Sequence, residues 1–354
     1  MRFLTSIALA ASLTALTAFA KLSLSMTATG PGDVDGVENL KLITSITNTG
    51  DEILKLVKDP RGPLSSRPTE AFDITDTNGN RPLFTGIRVK YMLDWVVSRG
   101  TAEHFTVLAP GQTINVAHNI SEIYDFTHPG QGSYHIKARN LVYHVDNRGT
   151  VIPLHASSNT GHNVDISGSL RREVHTMPKE LSPQITFQGC SPARQTVITN
   201  AITRARADVR AAVSALPTKA PVSTRFSTWF GVYNDQRLKT VTANLNKVSA
   251  ADLNSFTYEC SGAYPCEDGD VAYVISTTYG VVHLCSVYWG LSPSGADSQA
   301  GSLVHEASHF KALAGTLDIT YGQASSKDLA VKRPNEAITN ADNYEYYVEN
   351  TPSL

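Results

Sequence analysis

Between Lys21 and about residue 175 the apolar residues come in short runs, alternating or β-branched, that never lengthen into a helical stripe. Lys21 to Ser25, Leu40 to Ile46, Gly86 to Val97, His104 to Leu108, Ser133 to Ala138 and Val164 to Leu170 each read as a strand. Turn residues punctuate them, as at Thr49-Gly50-Asp51 and Pro110-Gly111-Gln112. Many short strands without long helices predict an all-β, sandwich-like domain.

From Cys190 the period changes. Ser191-Pro192 reads as an N-cap followed by proline at the first helical position. Ile198, Ile202, Ala205, Val209, Ala212 and Leu216 then recur at three- and four-residue steps, one apolar face of a long helix. Leu238, Val241, Leu245 and Val248 predict a second helix, and Val271 to Ile275 and Val281 to Cys285 read as strands. Asp297-Ser298 can cap a further helix running through to Leu313, with Gly315 ending it. This half is expected to be α+β and mainly helical. Between the halves, His175 to Ile185 carries two prolines and little periodicity, and reads as a linker.

A length of 354 residues fits about two domains. A hydrophobic share of 41% and a charged share of 18% allow a full core. The net charge of -2 implies no polyanion-binding surface, so no nucleic-acid partner is expected. The N-terminus, MRFLTSIALAASLTALTAFA, has a lone Arg2, an apolar run and small residues at its end. That is the layout of a signal peptide cut after Ala20, and the run is short for a membrane anchor. A secreted, extracellular chain is predicted, with no membrane partner.

Four cysteines, Cys190, Cys260, Cys266 and Cys285, all fall in the second half. In a secreted chain an even number predicts two disulfides. Three pairings are possible, and the sequence by itself does not choose. The spacings lack the paired C-x-x-C of a zinc knuckle. Of the nine histidines outside the motif described next, eight lie in the β half without ligand-like spacing. Asn119-Ile120-Ser121 is a glycosylation sequon and marks surface. Glu267-Asp268-Gly269-Asp270 reads as a solvated turn rather than a cation site.

Gly301 to Phe310 reads GSLVHEASHF and contains His305-Glu306-Ala307-Ser308-His309, an H-E-x-x-H pattern. On a helix, histidines four apart project from one face, and two neutral imidazoles there can bind one Zn²⁺. Glu306, beside a ligand, is placed as general base for a metal-bound water. Catalytic zinc usually takes three protein ligands and keeps one open position. Asp318 is the candidate third ligand, on a chain that turns back after Gly315. Tyr321 can donate to a developing oxyanion. No H-x-x-G-x-x-H continuation or downstream E-x-x-x-D pattern offers a competing His or Glu ligand.

H-E-x-x-H followed by G-T-x-D-x-x-Y-G resembles the signature of the aspzincin zinc metalloendopeptidases, which include deuterolysins and peptidyl-Lys metalloendopeptidases. The likeness spans about residues 186–354. It includes Arg225 to Gly231, Asp297 to Gly301 and Asn340-Ala341-Asp342-Asn343, and is nearest the fungal peptidyl-Lys members. Residues 21–185 resemble a fungal pro-segment. The resemblance implies a zymogen: signal peptide 1–20, β pro-domain and linker 21–185, and metallopeptidase domain 186–354, with the mature chain starting near Thr186. It implies disulfides Cys190–Cys260 and Cys266–Cys285, and one zinc on His305, His309 and Asp318. It further implies Glu306 and Tyr321 as catalytic groups, and Asp342 and Glu345 as the pocket for a lysine after the cut. The expected partners are protein substrates and the chain's own pro-domain as inhibitor, in a monomer. A broader deuterolysin-like preference near basic residues is the rival specificity. A secreted binding protein on a dead protease fold is the rival class, which the intact motif argues against.

Overall fold

The computed structural model describes residues 21–172, 184–261 and 265–354. The signal-peptide reading, and the linker reading up to residue 183, lie outside the described residues.

The N-terminal half is built on three four-stranded sheets. In the first, strands Leu24–Thr29 and Lys41–Asn48 are central and antiparallel. Within the two strands Leu24, Met26, Leu42 and Ile46 are buried and the residues alternating with them are more exposed, so one face is apolar. That face packs on both other sheets. Leu42 joins a cluster with Ile74, Tyr134, Ile136 and Val164, and Leu24, Met26 and Ile46 join one with Leu56, Leu108 and Val142. The result is a layered β sandwich.

The C-terminal half carries helices α2 (Pro192–Ser214), α3 (Thr224–Phe230), α4 (Asp235–Ala250), α5 (Gln299–His309), α6 (Gln323–Lys332), α7 (Pro334–Ala337) and α8 (Ala341–Glu349), after a single α1 (Leu93–Arg99) in the first half. Ser191 caps α2 by accepting from the Arg194 N–H, and α5 lies buried at every position among α2, α4 and α8. The disulfides are Cys190–Cys260 and Cys266–Cys285, the pairs that the resemblance implies.

Three sequence expectations need correction. Gly86 to Val97 is not one strand: it splits into strand Ile87–Tyr91 and α1. The ladder stops where the Met92 N–H bonds the Gly269 carbonyl, and Gly100, left-handed at φ 64, closes the helix. The motif helix ends at His309, not Leu313. Phe310 leaves the helix for extended backbone and is fully buried, so its side chain packs where a continued helix would not put it. Asp270 is not on a solvated turn either. It is buried and pairs with Arg67 of the β half at 2.7 Å.

The halves share a sheet. Its order is Thr186–Gln188, Thr257–Glu259, Val281–Leu284, Asp270–Ile275 and, at the edge, Ile87–Tyr91 from the β half.

Candidate active site

Ser298 starts α5, its Oγ accepting from the Gly301 N–H at 2.9 Å. A Cβ on Gly301 would sit 2.0 Å from Glu349 Oε1 and 3.0 Å from Glu345 Oε1, so glycine lets α8 bring these two carboxylates this close, with Glu349 tied to the Ser298 N–H and Oγ. That approach brings Asp342 Oδ1 within 2.9 Å and Glu345 Oε2 within 3.2 Å of His305 Nδ1.

One helical turn on, the His309 Nδ1–H donates to the Thr316 carbonyl at 2.9 Å. A carbonyl only accepts, so Nδ1 carries the proton and Nε2 keeps its lone pair. His309 Nε2 is buried with no hydrogen-bond partner. The segment after α5 is tied down by Asn340, whose Oδ1 accepts from the Ile319 and Thr320 N–H groups at 2.9 and 3.1 Å. This holds Asp318 over the helix, with Oδ1 3.2 Å from His305 Nε2 and 3.3 Å from His309 Nε2. Four tetrahedral ligands at about 2.0–2.1 Å from zinc stand about 3.3 Å apart. The spacing and the bare Nε2 therefore suit zinc, with the carbonyl and carboxylates behind the two rings orienting them.

Glu306 is fully buried, and no side chain hydrogen-bonds its carboxylate oxygens; only the Lys90 backbone N–H faces them. Burial pushes its carboxyl up to about 8, with His305 and Lys90 pulling against that rise. The Tyr321 hydroxyl donates to the Val89 carbonyl, and its ring lies 3.8 Å beneath the Arg61 guanidinium.

A scan against protein-family models matches residues 215–349 to the family described as Lysine-specific metallo-endopeptidase. The peptidyl-Lys metalloendopeptidase of Grifola frondosa is 40% identical over 93% of this chain and 93% of its own. A 98% identity over 14% of this chain, and all of the other sequence, links it to ribosome-inactivating protein lyophyllin of Lyophyllum shimeji. Among solved structures, the zinc peptidase from Grifola frondosa is 39% identical, covering 46% of this chain and 99% of that one, at a TM-score of 0.44. The chain belongs to the aspzincin family. It is a zinc metalloendopeptidase, and zinc is its cofactor.

Around the aspzincin motif the structure brings together more than the sequence reading named. Asp342 and Glu345 face a third carboxylate, Asp297, and the three surround the ammonium of Lys90. Lys90 Nζ is 2.6 Å from Glu345 Oε2, 3.4 Å from Asp297 Oδ1 and 4.0 Å from Asp342 Oδ1. Burial alone would lower the Lys90 pKa; Glu345, Asp342 and Asp297 outweigh it and hold the ammonium charged. Asp297 is left-handed at φ 52, rare for a non-glycine residue. Glu349 accepts from its N–H at 3.1 Å, and the Tyr346 hydroxyl donates to its Oδ1 at 2.6 Å. The sequence reading took Asp297 as a cap within a family-like segment, gave it no part in the pocket, and passed over Lys90. Their acidic and basic character was visible, but their meeting across 207 residues was not. The flanking family segments support α8: the Arg225 Nε donates to the Tyr347 carbonyl at 2.7 Å, and Asn343 Nδ2 donates to the Trp229 carbonyl at 2.6 Å.

Proposed function

We propose that the chain is the secreted zymogen of an endopeptidase that cuts on the amino side of lysine. The observation that carries this is the convergence of Asp297, Asp342 and Glu345 on one lysine ammonium, beside His305, His309 and Asp318. A lysine side chain stays charged at working pH, and partly dry carboxylates select it over neutral side chains. A compact ammonium suits three point acceptors better than a planar guanidinium.

His305, His309 and Asp318 would hold the zinc, which supplies Lewis acidity and a water of lowered pKa. Glu306 would take a proton from the attacking water and pass it to the leaving amine. The Tyr321 hydroxyl donates to the carbonyl oxygen as charge builds there. No covalent intermediate is needed.

Residues 1–20 are the export signal, 21–185 the pro-domain and linker, and 186–354 the catalytic domain, which acts as a monomer. Two disulfides confined to residues 190–285 support an oxidising destination and a boundary just before Cys190. Peptides released by the processed enzyme from a mixed protein substrate test the reading by mass spectrometry. An excess of lysine immediately after the cut is expected. Cuts spread over basic residues would favour the broader preference.

The lyophyllin match favours a second reading, in which the same proteolysis inactivates ribosomes by cutting lysine-rich ribosomal proteins. Ribosomes treated with active and zinc-stripped enzyme should differ in fragments that begin with lysine. Inactivation by stripped enzyme, with the proteins intact, would refute this reading.

A further inference from the structure

Latency requires something to occupy the cleft. All five residues of the Ile87–Tyr91 strand are buried, Lys90 to 2% exposure. The strand runs antiparallel to Asp270–Ile275, with Val89 opposite Tyr273 and Lys90 opposite Ala272. An extended substrate added to that sheet edge would build the same kind of ladder.

A buried lysine among carboxylates can be a structural ion pair and nothing more. The backbone around Lys90 argues otherwise. The Val89 N–H donates to Asp318 Oδ2 at 3.2 Å, and the Val89 carbonyl accepts from the Tyr321 hydroxyl. One residue on, the Lys90 amide faces the Glu306 carboxyl. The peptide between Val89 and Lys90 thus meets the groups assigned to carbonyl polarisation and to the leaving amine, while the Lys90 side chain fills the lysine pocket.

We propose that Ile87–Tyr91 is a built-in substrate mimic, with Lys90 the chain's own occupant of the lysine pocket and the Val89–Lys90 peptide at the reacting position. The proposal rests on the lysine-pocket reading above. Flanking contacts clamp the strand in place. Arg139 donates to the Asp318 and Ile319 carbonyls at 3.2 and 2.8 Å, and Arg67 pairs with Asp270. Being tethered, the mimic acts at an effective concentration of about millimolar or above, which free substrate rarely reaches.

The test uses the full-length chain carrying Glu306→Gln, which disables self-cleavage. Acetylation by a lysine-reactive ester is mapped by mass spectrometry. Lys90 is expected to react at least about tenfold more slowly than exposed Lys41. Equal rates overturn the proposal. In the same background Lys90→Met keeps the stem and deletes the ammonium. A fluorescent peptide with one lysine should bind this variant at least about tenfold more tightly than the parent. Equal binding also overturns it, and the acetylation result stands even if the variant misfolds. Failure of the lysine-pocket reading has a different signature: enzyme freed of residues 21–185 would cut without lysine preference, whatever the protection of Lys90.

Discussion

A buried carboxyl without a side-chain partner, as Glu306 is, costs stability, and a catalytic role is one reason for a fold to keep it. Glu306→Gln keeps the shape and removes the base. Turnover should fall by roughly 10²- to 10⁴-fold while zinc content, read by atomic absorption, stays at one per chain. Asp318→Asn should do the opposite, losing zinc to a mild chelator, because it removes the anionic member of the ligand set. In the pocket, Asp297→Asn should reduce the excess of lysine after the cut, and Asp342→Asn with Glu345→Gln should abolish it. Cut-site mapping reads both. His118 gives a prediction for the β half. Burial lowers its pKa from 6.5 to about 4, the Pro63 carbonyl, which favours the protonated ring, partly offsetting this. The unfolded chain therefore takes up a proton that the folded one refuses, so stability is full above pH 6.5 and declines toward pH 4. Urea midpoints across that window should show the slope, and His118→Phe should flatten it.

At the level of elements, Gly301 in α5 inverts a common rule. Glycine to alanine inside a helix ordinarily stabilises by about 1 kcal/mol. Here the added methyl meets Glu349 and Glu345, which are held by α8, so Gly301→Ala should lower the melting temperature and blur lysine selection. Which elements were legible in the sequence follows the same local logic. Helices α2, α4 and α5 announced themselves because a cap, an apolar stripe or both are written in neighbouring residues. That His305, His309 and Asp318 come together was legible because their spacing is local too. Ile87–Tyr91 was misjudged in extent because it is buried on both faces, and nothing nearby in sequence marks where its ladder ends. The end of α5 was misplaced because Phe310 answers to packing against Phe256 and Tyr279, not to helix propensity. Asp270 looked solvated because its partner, Arg67, lies 203 residues away.

Across the whole molecule the junction joins basic groups of the β half to oxygens of the catalytic half. Arg61 donates to the Ile319 carbonyl at 3.1 Å, and Arg67, Lys90 and Arg139 follow the same pattern. Val89, Tyr91, Tyr273 and Cys285 share one apolar cluster across it. Cutting the linker alone should therefore leave the halves associated, and activity should appear only when the β half is displaced or digested. Size-exclusion chromatography alongside N-terminal sequencing checks this; an active form that begins at Lys21 would refute the zymogen.

The borrowed strand also bears on how the catalytic half comes to exist at all. Five of the six residues in Asp270–Ile275 are buried, and without Ile87–Tyr91 one margin of that strand would offer its amides and carbonyls to any passing chain. A catalytic half synthesised alone meets this hazard before it has met a substrate. Residues 186–354 made without their partner should scatter light and precipitate on refolding, and adding residues 21–172 in trans should rescue them. On this view the proposed inhibitor is also a folding template, escorting the enzyme to its fold by the same contact that would silence it.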